Sequence, residues 1–147
     1  MIFYIKTNNE KIIMVSPTQL DNSFIQIDVP YNLIENINKF RYNSTTNSIE
    51  EKYIITNNLT QDKLNSDNIY EISLPFTLVL NSNSNCIINL EIFKFLNFNF
   101  IKIEDKECQF SNNSYSIDLS PYQGNVIKIS LKENINYYMD DIIIKVI

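Results

Sequence analysis

Apolar and polar positions alternate along most of this chain. Ile25, Ile27 and Val29 are separated by Gln26 and Asp28, which gives a strand with one buried face. Upstream, Ile2 to Thr7 and Lys11 to Val15 are short apolar runs flanking Asn8-Asn9-Glu10, the pattern of a hairpin with a three-residue loop. The period then changes. Leu33, Ile34, Ile37 and Phe40 recur at helical spacing after Pro30, and predict one short helix of two to three turns. Phe40 to Tyr42 and Ile49 to Ile55, either side of the polar stretch Asn43 to Ser48, predict a second hairpin.

Residues 57–68 are polar and weakly patterned, and are read as a linker. Beyond them the strand signal strengthens: Ile69 to Leu80 interrupted by Pro75, Ile87 to Phe95, Phe98 to Glu104, Tyr115 to Leu119, Val126 to Leu131 and Ile142 to Ile147. Short strands separated by Asn/Ser-rich loops are the pattern of an antiparallel sandwich. The predicted fold is all-β: an N-terminal hairpin lobe with one short helix over residues 1–56, the linker, and a jelly-roll-like β-sandwich over residues 69–147.

Composition narrows the chemistry. Twelve Lys+Arg against 17 Asp+Glu leave a net charge of -5, which argues against nucleic acid as a partner. The chain has no His, so the commonest general base and zinc ligand is missing, and neither a catalytic residue, a metal site nor a cofactor is expected. Its single Gly leaves no phosphate-cradling loop. Ile, Asn, Lys, Phe and Tyr all have AT-rich codons, so part of the polarity pattern is attributed to coding bias. No apolar run approaches the roughly 20 residues of a membrane span, and the first residues do not resemble an export signal, so no membrane partner is expected.

A few residues invite a functional reading. Asp140-Asp141, with Asp118, would suit calcium, but neighbours on a strand point to opposite faces, and solvated charges are expected. Tyr137 and Tyr138, with Tyr115 and Tyr122, would form a sugar-stacking platform, packing being the plainer reading. Phe93, Phe95, Phe98 and Phe100 are expected in the core, a subunit interface being the alternative. Placing Ile92 opposite Ile101, and Leu90 opposite Ile103, sets Cys86 opposite Glu107 rather than Cys108, so both thiols are expected free. Ser120-Pro121-Tyr122-Gln123 suits a type I turn, with Gly124 supplying a left-handed residue after it.

Two stretches carry resemblances. Phe3-Tyr4-Ile5-Lys6, Lys11-Ile12-Ile13, Ile25 to Ile34 and Lys39-Phe40-Arg41-Tyr42 resemble an N-terminal segment of small tail-module proteins of phages infecting AT-rich Gram-positive bacteria. Here Asn43 to Ser48 replace that family's usual glycine. Asp118-Leu119-Ser120-Pro121-Tyr122-Gln123-Gly124, Val126 to Leu131 and Asp140 to Ile144 resemble the closing strands of carbohydrate-binding jelly-roll modules. The first resemblance implies a non-enzymatic virion component of a baseplate, tail tip or fibre attachment, present in many copies and mating with other tail subunits. The second implies a sandwich fold and no ligand, since such modules serve several roles; the alternative expectation is a module binding cell-wall glycan through Tyr122, Tyr137 and Tyr138. A phage-encoded inhibitor of a host protein is a third expectation.

Overall fold

The computed structural model describes residues 1–147. Strands β1 (Ile2–Asn8), β2 (Lys11–Ser16), β3 (Ile25–Asp28), β4 (Phe40–Asn43), β5 (Ser48–Glu51), β6 (Tyr53–Ile54) and β7 (Thr56–Asn57) come first. They are followed by β8 (Tyr70–Ile72), β9 (Thr77–Asn81), β10 (Ile87–Leu96), β11 (Asn99–Gln109), β12 (Ser114–Asp118), β13 (Val126–Leu131), β14 (Tyr137–Tyr138) and β15 (Ile142–Val146). The fold is all-β and sandwich-like, and no helix is long and apolar enough to cross a membrane. The chain divides into two compact units, Met1–Ile54 with Ile135–Tyr138, and Ile55–Asn134 with Met139–Ile147.

The first unit is built on a five-stranded sheet of order β3-β1-β2-β4-β5. Its alternating residues bury Ile5, Ile12, Ile27, Phe40 and Tyr42 together with Val29 and Leu33. Arg41 and Glu50 face each other across β4 and β5, and the guanidinium donates to Glu50 Oε2 from Nε at 3.1 Å and from Nη2 at 2.7 Å. Asn43 donates to the other carboxylate oxygen, so Asn43 first and Arg41 second hold the Glu50 acid below its ordinary range.

The expected helix is not continuous. Its apolar positions fall in two separate 3-10 turns, Tyr31–Leu33 and Ile37–Lys39. Asn36 breaks the run: it is extended at φ -156, and its side-chain oxygen accepts from the Asn38 N–H, a local bond that competes with helix. The first hairpin also closes more tightly than expected. Asn8 pairs with Lys11, leaving a two-residue turn of Asn9 and Glu10 at φ 47 and 69.

The second unit contains a five-stranded sheet of order β11-β10-β13-β15-β8 and a three-stranded sheet of order β12-β9-β7. Ile88, Leu90, Ile92, Ile127, Ile129, Ile142 and Ile144 are buried from the first sheet, and Leu78, Leu80 and Ile117 from the second. Each sheet thus has one apolar face, the condition for a sandwich core. Not every pairing is antiparallel, since β8 runs parallel to β15. Residues 57–68 hold the end of β7, a 3-10 turn at Gln61–Lys63, and Leu64, which bridges to Tyr70.

The turn after β12 has the local geometry its residues favour. The Gln123 N–H donates to the Ser120 carbonyl at 3.2 Å around Pro121, and Gly124 follows at φ 80 with its N–H on the Val146 carbonyl at 2.8 Å. Other left-handed positions are filled without glycine. Of eight non-glycine residues at positive φ, six are asparagines: Asn9, Asn47, Asn68, Asn97, Asn112 and Asn113. Asparagine is the non-glycine residue that best tolerates this region, so its abundance has a conformational use beyond coding bias.

Candidate functional site

The longest strands of the chain, β10 and β11, form one antiparallel hairpin whose outer strand is a sheet edge. Leu96 pairs with Asn99, so Asn97 and Phe98 make a two-residue turn, at φ 51 and 64. Positive φ at both central positions is the type I′ signature, whose twist suits a hairpin. Asn97 is well suited to it. Phe98 is not: a bulky residue in the left-handed region is an outlier, and this one is 93% exposed.

This turn corrects the expected pairing. Phe95 faces Phe100, whereas the expected register puts the turn one residue earlier. Further down, Phe93 pairs with Lys102 and Ile92 with Glu104, so Ile103 is a bulge that slips the remaining ladder by one more residue. Cys108 consequently lies opposite Ile88, while the Phe110 N–H donates to the Cys86 carbonyl at 2.8 Å. Both cysteines are free.

The expectation that the phenylalanines lie in the core is corrected too. Pairing with β13 ends at Lys94 with Ile127, so Phe95 to Phe100 run on as a two-stranded ribbon. Phe93 and Phe100 are half-buried and Phe95 is exposed. The Lys128 ammonium sits 4.5 Å from the Phe93 ring centre and 4.9 Å from that of Phe100, a doubled cation–π contact. Leu96 and Ile101 are exposed as well. From Ile92 to Ile103 the only charged residues are Lys94 and Lys102, while the stem carries Glu91, Glu104, Asp105 and Glu107 with Lys106. Lys102 reaches back to this stem, 3.2 Å from Glu91 and 3.3 Å from Asp105.

The proposed tyrosine platform does not form around Tyr122. That ring is buried in the second unit, 8% exposed, and its hydroxyl donates to Glu104 Oε2 at 2.6 Å. It offers no open face to a sugar. Burial first and the Glu104 carboxylate second push the Tyr122 phenol well above its ordinary range. Tyr115 stacks on Phe110 at 6.0 Å.

Tyr137 and Tyr138 belong to the first unit, where β14 runs parallel to β6. Tyr137 meets Tyr53 edge to face at 6.4 Å. The Tyr138 hydroxyl accepts from Asn36 Nδ2 at 3.2 Å, and the Lys39 ammonium lies 5.3 Å from its ring centre. Asn36 and Lys39 also line a cleft of about 430 Å³ with Asn32, Glu35, Phe40, Glu51, Lys52 and Ile54. Tyr138 thus supports two of the cleft's lining residues.

The acidic candidates are dispersed in role. Asp118 accepts from the Ser120 N–H at 2.9 Å and hydroxyl at 2.6 Å, which lowers its acid and commits it to the turn. Asp140 and Asp141 are both exposed. No family model, curated protein or solved structure matches the chain.

Phe98 was within reach of sequence reasoning. Asn97-Phe98-Asn99 is the one polar interruption between two aromatic runs, and asparagine's tolerance of positive φ marks Asn97 as the first turn position. Counting outward from there pairs Phe95 with Phe100.

Proposed function

We propose that this chain is a non-enzymatic attachment subunit of a multi-copy assembly, working through the tip of the β10–β11 hairpin. The observation that carries the reading is Phe98, exposed and held at φ 64. A side chain that packs against nothing and costs backbone energy contributes little to folding, and such outliers cluster where a partner is engaged. The resemblance of residues 1–56 to phage tail-module segments supports a tail tip, baseplate or fibre attachment as the setting, with other tail subunits as neighbours.

The test is mass spectrometry of particles purified from cells that carry the gene, with and without Phe98→Asn. The reading expects the chain in stoichiometric copies, the variant incorporated normally, and attachment lost. Particles that contain no copy of the chain would refute the setting. Unimpaired attachment by the variant would refute the role of the tip.

A second reading rests on the first unit's cleft. Its amide, carboxylate and ammonium groups over Phe40 and Ile54 suit a small polyhydroxylated ligand such as a cell-wall glycan fragment. Tyr138→Phe would then weaken glycan binding by releasing Asn36, and unchanged binding would exclude that part of the site.

A further inference from the structure

We infer that the ligand of the β10–β11 tip is the surface of an anionic lipid bilayer, which the hairpin enters to headgroup depth. This rests on the reading of the tip as the working surface and names its partner. The first observation is the distribution of apolar groups. Phe95 and Phe100 form a tilted pair on one face of the ribbon, Leu96 and Ile101 lie one position on in each strand and so face the other way, and Phe98 stands at the apex. A binding pocket accepts a knob or one face. An apolar ribbon end exposed on both faces matches a medium that is the same all round.

The second observation is charge. The acidic chain, net -5, has no carboxylate from Ile92 to Ile103, and Lys94 lies four residues before Phe98, while Lys128 of β13, opposite Phe93, lies on the other face over the Phe93 and Phe100 rings. Cations set behind an apolar end complement anionic headgroups when the end is inserted.

The third is length. The two strand steps from Lys94 to Leu96, the end of β10, span about 7 Å before the Asn97-Phe98 turn, within the roughly 5–10 Å depth of an interfacial apolar element. Deeper entry is opposed by the unpaired edge of β11, whose backbone groups need water, and by the carboxylates of the stem. The absence of a spanning segment does not bear on this contact, because a hairpin tip touches the bilayer without crossing it.

The experiment is flotation of the full chain with vesicles of phosphatidylcholine alone and of phosphatidylcholine with phosphatidylglycerol at 7:3. Wild type is expected to float with the anionic vesicles, less with neutral ones, and less again at high salt. Phe98→Asn restores a turn chemistry the chain already uses at Asn112-Asn113, so it keeps the fold while removing the apolar apex. It is expected to lower partitioning about tenfold or more, the effect of withholding one Phe side chain from an apolar phase. Lys94→Gln is expected to weaken the salt-sensitive part alone.

Failure of the wild type to float, or equal flotation of wild type and Phe98→Asn, overturns the lipid assignment. If the wild type fails to float while Phe98→Asn still abolishes attachment of particles, the tip engages a protein: the lipid assignment falls and the reading of the tip stands. If Phe98→Asn leaves attachment intact, the reading of the tip falls.

Discussion

Phe95 and Phe100 lie directly opposite each other across the β10–β11 hairpin, with ring centres 5.2 Å apart and planes tilted by 59°. The pair is a cross-strand aromatic contact that fixes the ladder just before the turn. Beyond it only Leu96, Asn97, Phe98 and Asn99 remain, so the conformation of Phe98 is imposed by a register set elsewhere.

Replacing Phe98 should therefore stabilise the protein. Phe98→Gly is expected to raise unfolding free energy by about 1 kcal/mol, since an L side chain in the left-handed region costs roughly 1–2 kcal/mol. Urea titration checks this. A clear loss of stability would mean that the ring makes contacts that matter to folding.

Gly124 provides the converse test. A Cβ placed there would meet nothing within 4 Å, so a substitution is felt through φ 80 alone. Gly124→Val is expected to cost about 1–2 kcal/mol, and Gly124→Asn markedly less, because asparagine tolerates that backbone. Equal melting shifts for the two variants would show that backbone conformation is not the cause.

The Tyr122 hydroxyl on Glu104 ties the turn after β12 to the stem of the hairpin. Tyr122→Phe removes one hydrogen bond to a charged acceptor and leaves the ring in place, for an expected loss of about 1.5–3 kcal/mol at most, tempered because Glu104 keeps access to water. Thermal melts should show the larger shift for Tyr122→Phe and a smaller one for Glu104→Gln, whose amide oxygen can still accept from the phenol. A neutral Tyr122→Phe would assign the site to packing alone.

The thiols should separate chemically. Cys108 is fully buried, and burial pushes its pKa up from 9.0 to about 11, whereas Cys86 is partly accessible. In the native state iodoacetamide is expected to label Cys86 first and Cys108 only after unfolding. Because the folded thiol holds its proton more tightly than the unfolded one, Cys108 contributes stability that is full below pH 9 and lost as pH rises toward about 11. Cys108→Ala should flatten that part of the stability profile. An unchanged slope would place its origin in other groups.

How much of this was legible in the chain differs by element. Alternation at Ile25, Ile27 and Val29, and the strand runs beyond residue 69, identified an all-β fold because period-two burial is written directly into residue order. The helix over Leu33 to Phe40 was misread because the same spacing serves two 3-10 turns, and the separating signal was the single side-chain bond from Asn36. The pairing of β10 with β11 was legible but its register was not: the turn lies one residue later than expected, and the bulge at Ile103, which slips the ladder again, leaves no mark on hydrophobic periodicity. Tyr122 packs, as the plainer reading of the tyrosines has it, but its hydrogen-bond partner Glu104 is distant and local sequence does not name it.

The most direct test of the tip as a membrane-contacting surface uses the chain's lack of tryptophan. Phe98→Trp places a single indole at the apex, where its fluorescence reports its surroundings. In buffer its emission should be that of a water-exposed indole, fully open to acrylamide quenching. Vesicles containing phosphatidylglycerol should then shift it to the blue and protect it from the quencher. Emission that is unchanged by those vesicles would contradict the account.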